Sequence, residues 1–491
     1  MSASATTDTP PSAEPSASAH APAQAPASAR DPEPGSPIDA IAPLVGRLRQ
    51  TFDSGRTRPL EWRKGQLEAL IRFAREEGDA LVEALQADMG KPEFEARAAD
   101  IAQITQEAKL ALKNLKKWTR PQRAGSVPLL GRSFVVHDPL GVVLIIAPWN
   151  YPVGLLLSPL VGAIAAGNCA VLKPSEVTAH TSALLAERLP RYVDNDAIAI
   201  VEGGVPETTE LLDQPFDHIF YTGNGSVGQV VMEAAAKHLT PVTLELGGKS
   251  PCIVDRTANI PVTARRIAWG KFMNAGQTCI APDYILADAS IEDELIAELK
   301  KSVEQFYGED TRNNPDYTRI VNSRHHDRVA KLIDGQEIAF GGKADPEACK
   351  VEPTVLRNVS PDAPVMQSEI FGPVLPILRI EGLDQAIEFV NQRDKPLALY
   401  LFSEDDEAEQ RVIAETTSGG ACINGTILHI GNSKMPFGGV GPSGMGAYHG
   451  RHTFETFSHR KAVLKRGFRF DLKLMYPPYT KGKTKMVRKM G

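Results

Sequence analysis

Cys279 closes the segment Asn274-Ala-Gly-Gln-Thr-Cys279, where small Gly276 and polar Gln277 and Thr278 stand in place of the apolar neighbours of a core thiol. A thiol in such a setting becomes a strong nucleophile once a base or a helix terminus encourages its ionisation. Cys169, Cys252 and Cys422 lie amid apolar residues and read as core, whereas Cys349, beside Lys350, reads as a surface-loop thiol. Asn150, in Pro148-Trp-Asn-Tyr-Pro152 at the end of an apolar run, suits donation of an amide N–H to a developing oxyanion. Asn between prolines equally suits a turn. Glu369, in Glu369-Ile-Phe-Gly-Pro373, is an acid beside a Gly-Pro bend and by itself says little.

A second constellation points to a nucleotide. Tyr221-Thr-Gly-Asn-Gly-Ser-Val-Gly228 carries Gly223, Gly225 and Gly228 in G-x-G-x-x-G spacing, between a strand-like Ile219–Tyr221 and a helical pattern. Glycines there let backbone amides approach a pyrophosphate, and the helix N-terminus favours its charge. The context makes this reading as good as that of a plain turn. The dinucleotide rule then seeks an acid at a later strand end to hold ribose. Glu245 fits by spacing, and Glu176, three residues after Lys173 in Val171-Leu-Lys-Pro-Ser-Glu176, is the other candidate. Either acid also reads as a surface carboxylate near a turn.

These residues must be held by a large scaffold. The chain has 491 residues, 42% of them hydrophobic and 23% charged, which implies two or three domains. Its net charge of -6 speaks against a nucleic-acid protein held by overall basicity. Five widely spaced cysteines supply neither a disulfide framework nor a CxxC zinc pattern, and no metal site is expected; a reducing, cytoplasmic setting fits. Residues 1–37 hold 10 Ala, 8 Pro and 7 Ser, and after Met1 no Val, Ile, Leu, Phe, Tyr or Trp, so they read as a disordered extension rather than a signal or transit peptide. Order is expected from Ser36, placed to cap a helix that begins at Pro37.

Helical spacing continues to about Arg120, and Gly125 to Leu140 reads as loop and extended chain with a short strand at Phe134–Val136. Pro139 to Leu172 contains no charge, long enough to suggest a membrane span, but Pro148, Asn150, Pro152 and Pro159 divide it into a buried strand and a buried helix. Strand patterns at Val142–Ala147, Ala170–Leu172, Ile198–Val201, Ile219–Tyr221 and Val242–Leu246 then alternate with helical ones, which indicates crossover units and a parallel sheet. The alternation restarts at Cys252–Val254, as in a second α/β domain. Residues 458–491 hold 11 Lys and Arg against Asp471, a local charge of +10 that leaves -16 for the remainder. Such a tail reads as solvated or as packed on an acidic partner, with peripheral contact to acidic lipid a lesser alternative.

Taken together, Pro148-Trp-Asn-Tyr-Pro152, Leu172-Lys-Pro-Ser-Glu176, Leu244-Glu-Leu-Gly-Gly-Lys249, Gly276-Gln-Thr-Cys279 and Glu369-Ile-Phe-Gly-Pro373 resemble the aldehyde dehydrogenase superfamily in content and order. Ala281-Pro-Asp-Tyr284, Lys395-Pro-Leu-Ala-Leu-Tyr400, Met435-Pro-Phe-Gly-Gly-Val-Gly441 and Gly444-Met-Gly-Ala-Tyr-His449 look like its class 3 branch, which handles fatty and aromatic aldehydes. The resemblance spans residue 38 to about 460. It implies an α/β fold with a doubly wound, Rossmann-like cofactor domain (residues 38–118 and 140–245), a catalytic thiol domain (246–430), and a small β bridging and oligomerisation arm (119–139 and 431–460). A basic tail (461–491) would follow.

Carried over position by position, the resemblance makes Cys279 the nucleophile that forms a thiohemiacetal and then a thioester. Asn150 and the Cys279 amide become oxyanion donors, and Glu245 the general base for hydrolysis. It therefore moves Glu245 from ribose to chemistry. Lys173 and Glu176 would bind the adenosine ribose, and Gly223, Asn224, Gly225, Ser226, Val227 and Gly228 the phosphates. Glu369 would hold the nicotinamide ribose, with Trp149 and Phe371 beside the cofactor, and Tyr151, Thr278 and Ile430 would line the substrate entrance. NAD is the implied cofactor, with NADP also accepted in this branch, apolar aldehydes the substrates, and a homodimer the assembly. Two positions depart from the family: Asn224 stands where a hydroxyl residue usually contacts phosphate, and the tail is basic where fatty-aldehyde members carry an apolar anchor, which suggests a soluble protein. An acyl-transferring reductase on the same scaffold is disfavoured by Glu245, and a non-enzymatic dinucleotide binder would leave Cys279 idle.

Overall fold

The computed structural model describes residues 37–127, 131–311, 313–468, 471 and 473–489. The disordered extension read from the sequence and the capping role given to Ser36 therefore lie outside the described residues, apart from Pro37. The chain enters through a 3-10 turn, Pro37–Ala40, and not directly as an α-helix. Helices Ile41–Asp53, Leu60–Glu76, Gly78–Met89 and Ala102–Thr119 follow, the last entered through a π turn at Ala96–Ile101. Each buries one stripe, as Ile41, Val45, Leu48 and Phe52 do in the first.

Strands β1 (Gln122–Val127) and β2 (Gly131–Pro139) come next and pair antiparallel. The region read as loop and extended chain with a three-residue strand is thus a hairpin, and its second strand is nine residues long. The reason is non-local: β2 is completed by a strand from the far end of the chain. The cofactor-type alternation then supplies β3 (Val142–Ile146), β4 (Cys169–Lys173), β5 (Ile198–Ile200), β6 (His218–Thr222) and β7 (Val242–Glu245). Every residue of β3, β4 and β6 is buried, as expected where helices cover both faces of a parallel sheet. The uncharged run resolves into β3 and the fully buried helix Gly154–Ala166, and among the described residues no helix is long and apolar enough to cross a membrane.

The second sheet takes β8 (Pro251–Val254), β9 (Tyr284–Asp288), β10 (Glu337–Phe340), β13 (Thr354–Arg357), β14 (Val374–Ile380), β15 (Ala398–Phe402) and β16 (Gly420–Ile423). Between β10 and β13 lies a small ribbon, β11 (Ala344–Asp345) with β12 (Lys350–Val351). The order is β10-β13-β14-β9-β8-β15-β16, parallel except for β10. Cys422 sits on edge strand β16, where it is half-buried and packs against the margin of the core. Last come β17 (Gly444–Met445), which adds antiparallel to β7, and β18 (Ser458–Lys465), which pairs with β2 from Ser458↔Pro139 to Lys465↔Arg132. Residues 461–465, the first of the basic tail, are therefore sheet.

The first sheet has the order β17-β7-β6-β3-β4-β5. From central β3 the chain winds one way to β4 and β5, then crosses back to β6 and β7. Its topological switch lies between β3 and β6, where ligands gather at the carboxyl ends of strands in open α/β sheets.

Candidate active site

Three chain segments leave the carboxyl edge of the sheet at or beside that switch, from β6, β4 and β3. After β6 comes Gly223-Asn-Gly-Ser-Val-Gly228, which opens helix Gly225–Ala236. A Cβ at Gly223 would overlap the Tyr221 hydroxyl, and one at Gly228 would press on Leu246 at 3.0 Å, while Gly225 has open space on that side. Glycine is thus needed twice for packing and leaves the backbone bare once. Asn224 is the helix N-cap: its Oδ1 accepts from Val227 N–H (2.9 Å) and from the Ser226 hydroxyl (2.7 Å). Its carbonyl side chain is thereby engaged with the helix, while the amides of Gly225 and Ser226 have no intrahelical acceptor.

At the end of β4, Lys173 is buried, and its ammonium donates to the Pro174 carbonyl (2.8 Å) and reaches exposed Glu176 at 3.4 Å. Burial pulls the Lys173 pKa down. A bare glycine turn, a helix N-terminus and a buried ammonium beside an exposed carboxylate, all at the carboxyl ends of one sheet, fit a dinucleotide with its phosphates on the turn and ribose hydroxyls at Lys173 and Glu176.

The third segment, Pro148-Trp-Asn-Tyr-Pro152, follows β3 and meets the Cys279 loop. That loop is strained: Asn274, Ala275 and Gly276 run consecutively through the left-handed region at φ 53, 52 and 72. Such a backbone persists only when its surroundings over-determine it. Here Asn274 N–H donates to Glu95 (3.0 Å), and Asn274 Nδ2 donates to the carbonyls of Asn150 (3.2 Å) and Gln277 (3.0 Å). Asn150 Nδ2 in turn donates to the Gln277 carbonyl (3.0 Å), and the Tyr151 and Thr278 hydroxyls are bonded at 2.8 Å. A Cβ on Gly276 would overlap the Gly372 carbonyl oxygen, so this glycine lets the loop touch the turn that carries Glu369. Gly276→Ala should therefore lower stability by about 1–3 kcal/mol and, by displacing Cys279, cut oxidation at least about tenfold; thermal melting and steady-state assays check this, and wild-type values in both would show that the loop can yield.

Cys279, Glu245, Tyr151, Thr278 and Ile430 line one cavity of about 560 Å³ including its open mouth. The remaining wall is largely apolar, with Leu155, Met273, Ile280, Leu397, Phe437 and Tyr448. Glu245, at the end of β7, is buried, and neither of its carboxylate oxygens has a hydrogen-bond partner among the described residues. Burial holds its carboxyl well above the usual carboxylate range. Burial also pushes the Cys279 thiol up, helped by the nearby Glu369 and Glu245 carboxylates and opposed by the amides of Cys279 and Ile280.

Glu369 stands over Gly247, where a Cβ would overlap its Oε2, and burial raises its carboxyl to about 8. Its turn is tied down by Lys249, which donates to Val365 (2.9 Å) and Ser368 (3.0 Å) carbonyls and pairs with Asp283. Phe371, at φ 44, meets Trp149 edge-on with ring centroids 5.3 Å apart, and His325 lies 5.1 Å from Trp149.

The structure thus joins Cys279, Glu245 and the three expected entrance residues in one cavity. Asn150 is not in its wall; it lies buried one hydrogen bond behind the Cys279 loop. Trp149, Glu369 and Phe371 form an adjoining group, and Lys173, Glu176 and the glycine turn lie at the ends of β4 and β6. Glu245 faces the thiol's cavity, which overturns the ribose position that spacing alone gave it. Phe437 and Tyr448 fell within family-like segments without a role, and Lys91, Glu95, Asp100 and Asn274 carried no local signal at all. Among the described residues no group of His, Cys, Asp and Glu is arranged to hold a metal.

Comparison with known proteins completes this geometry. The sequence model of the aldehyde dehydrogenase family matches residues 40–463. The chain belongs to the aldehyde dehydrogenase family. It is 52% identical over 448 residues to mouse aldehyde dehydrogenase family 3 member A2, covering 90% of this chain and 93% of the mouse protein. With the mouse "aldehyde dehydrogenase, dimeric NADP-preferring" it shares 52% identity over 442 residues, 89% of this chain and 98% of that one. The substrate-bound structure of Staphylococcus aureus AldH matches with a TM-score of 0.89 at 46% identity, covering 92% of this chain and 99% of the bacterial one. The protein is an aldehyde dehydrogenase of the family 3 type that works with NAD(P), and the expected doubly wound cofactor sheet, second α/β sheet and β arm are the fold found.

Proposed function

We propose that this aldehyde dehydrogenase oxidises apolar aldehydes, medium- to long-chain aliphatic or aromatic, to carboxylic acids by transient acylation of Cys279. The observation that carries the reading is the shared cavity: a thiol and a buried carboxylate that has no hydrogen-bond partner among the described residues face one space whose other walls are mostly apolar. Such walls reward burial of hydrocarbon at roughly 25 cal/mol per Å².

Cys279 Sγ gives its proton to solvent at the open mouth of the cavity and forms a bond to the carbonyl carbon, whose C=O pair moves onto oxygen, where charge develops. The Cys279 amide supplies one oxyanion donor, and Asn150, which spends one Nδ2 N–H on Gln277 and lies outside the cavity wall, supplies its second N–H by turning toward the former carbonyl oxygen once substrate is bound. Bound NAD(P) supplies the hydride acceptor. The acyl group left on sulfur is a thioester, labile toward water. Glu245 takes a proton from that water as its oxygen bonds to the acyl carbon, the carbon–sulfur bond breaks, and the acid leaves. A carboxyl held above its usual range is a stronger base than an ordinary glutamate, which suits this step. Trp149, Phe371 and Glu369 would orient the nicotinamide end, and the glycine turn, Lys173 and Glu176 the adenosine end. A homodimer accords with the name of the NADP-preferring mouse relative and with the β1-β2-β18 arm.

The test is an aldehyde panel with NAD or NADP, with and without coenzyme A. Acid formed without an added acceptor, with kcat/KM rising along the aliphatic series, is the expected result. Strict dependence on coenzyme A would reject the hydrolytic route, and a preference for short polar aldehydes would reject the substrate class. For the oxyanion donor, Asn150→Ala should slow single-turnover reduction of the cofactor by about 10²-fold; an unchanged single-turnover rate would remove Asn150 from that role.

A further inference from the structure

We propose that Lys91, balanced by Asp100, is a positioning residue for aldehyde oxidation: it anchors the Asn150–Tyr151 turn, whose two side chains hold the Gln277–Cys279 segment in place. The inference rests on the reading of Cys279 and Asn150 given above.

Lys91 leaves helix Gly78–Met89 through Gly90, at φ 62, and its side chain is fully buried. The ammonium donates to the Asn150 carbonyl at 2.8 Å and to Asp100 Oδ2 at 3.3 Å, and it lies 4.2 Å from the centre of the Tyr151 ring. Its hydrogen bonds and ring contact are thus spent on the two residues in question and on Asp100, while Glu95, which accepts from Asn274 N–H, is a second acid near its charge. Asp100, equally buried on the π turn that precedes helix Ala102–Thr119, uses its other oxygen to accept Val153 N–H (3.1 Å) and Gly154 N–H (2.5 Å). These are the first amides of the helix that follows the turn. The pair thus clamps residues 150–154 from below, at the carbonyl of one end and at the amides of the other.

What the clamp holds is the reacting loop. Asn150 donates to the Gln277 carbonyl and Tyr151 is bonded to Thr278, the two residues before Cys279. A buried ion pair is a poor means of gaining stability, because desolvation of both charges offsets their attraction, and apolar replacements of similar volume often do as well or better. What a charged pair with directed hydrogen bonds does supply is a single geometry for the carbonyl and amides it binds. A small displacement of a reacting group is enough to cost orders of magnitude in rate.

The test uses the full chain with Lys91→Met, Lys91→Arg and the double variant Lys91→Met/Asp100→Asn, which removes both charges together. Four quantities are read: melting temperature, KM for the cofactor, the burst rate of cofactor reduction per titrated active site, and the rate of Cys279 alkylation by iodoacetamide. The double variant is expected to melt near the wild type and keep its cofactor KM within about twofold, while its burst rate per site falls about 10- to 100-fold and alkylation changes with it. Lys91→Arg, which keeps the charge, is expected to recover part of that loss. A purely structural role would instead lower melting temperature and the titrated fraction of sites, leaving the burst rate of the survivors unchanged, and that result overturns the proposal. Failure of all three variants to fold assigns the pair to folding and overturns it too. Cys279→Ala run in parallel separates the two layers: if it still oxidises aldehydes, the thiol reading falls whatever Lys91 does.

Discussion

Cys279→Ala should lower kcat for aldehyde oxidation by at least about 10⁴-fold while leaving NAD(P) affinity near that of the wild type. The thiol is the sole strong nucleophile in the cavity wall, whose other polar members are carboxylate, amide or ordinary hydroxyl groups. None of the other four cysteines can substitute. Cys169 and Cys252 are buried in β4 and β8, Cys422 lies on edge strand β16, and Cys349 sits in the turn joining β11 and β12. Without a covalent bond to hold the carbonyl carbon, only positioning and oxyanion contacts remain. The crevice proposed for the cofactor, by contrast, lies at the ends of β3, β4 and β6 and does not depend on the sulfur. Steady-state assay together with fluorescence titration of the cofactor checks both halves. Retention of more than about a hundredth of the activity, far above the loss expected for a missing nucleophile, would dismiss Cys279 from that role, and loss of cofactor binding would mean that the substitution damages more than the chemistry.

Glu245→Gln separates the two halves of the reaction. Gln is nearly isosteric and cannot accept the water proton, so the first turnover should proceed and the second should stall. The expected record is a burst of about one reduced cofactor per active site followed by a steady rate about 10²- to 10³-fold below wild type. The pH dependence carries an independent check. Because burial holds the Glu245 carboxyl above its usual range, its basic form is depleted at low pH and gained as pH rises through that raised value, so wild-type turnover should climb with pH. In the Glu245→Gln variant the steady rate should lose that dependence. Glu369, raised to about 8, also titrates above the ordinary carboxylate range, and Glu369→Gln run alongside shows which acid the profile reports. A Glu245→Gln enzyme with wild-type steady rate would remove Glu245 from the mechanism.

Much of this site was legible without coordinates. The small and polar neighbours of Cys279, the G-x-G-x-x-G turn after a strand, and the alternation from Val142 onward are local patterns, and the family-like segments around them supplied the roles. Spacing alone misplaced one residue: a rule that counts from a glycine turn sent Glu245 to ribose. In the fold, β7 ends beside the Cys279 cavity. The arm was under-read for a related reason. Strand β2 is a weak local pattern, completed by β18, which lies far along the chain at Ser458–Lys465.

The nucleophile candidate and the alternation of strands and helices in a parallel sheet were readable from residue type, spacing and the period of apolar positions, and the class of protein and the doubly wound topology from the resemblance of the family-like segments. Folding in three dimensions was needed to leave Glu245 without a hydrogen-bond partner among the described residues, to set Asn150 behind the thiol loop, and to bring Lys91 onto the Asn150 carbonyl with Asp100 beside it. Those facts join residues 91, 100, 150 and 277, which meet only where the N-terminal helices, the end of β3 and the strained loop pack together. No local propensity encodes such a meeting; it is set by which elements cross and by the exclusion of water from the space between them.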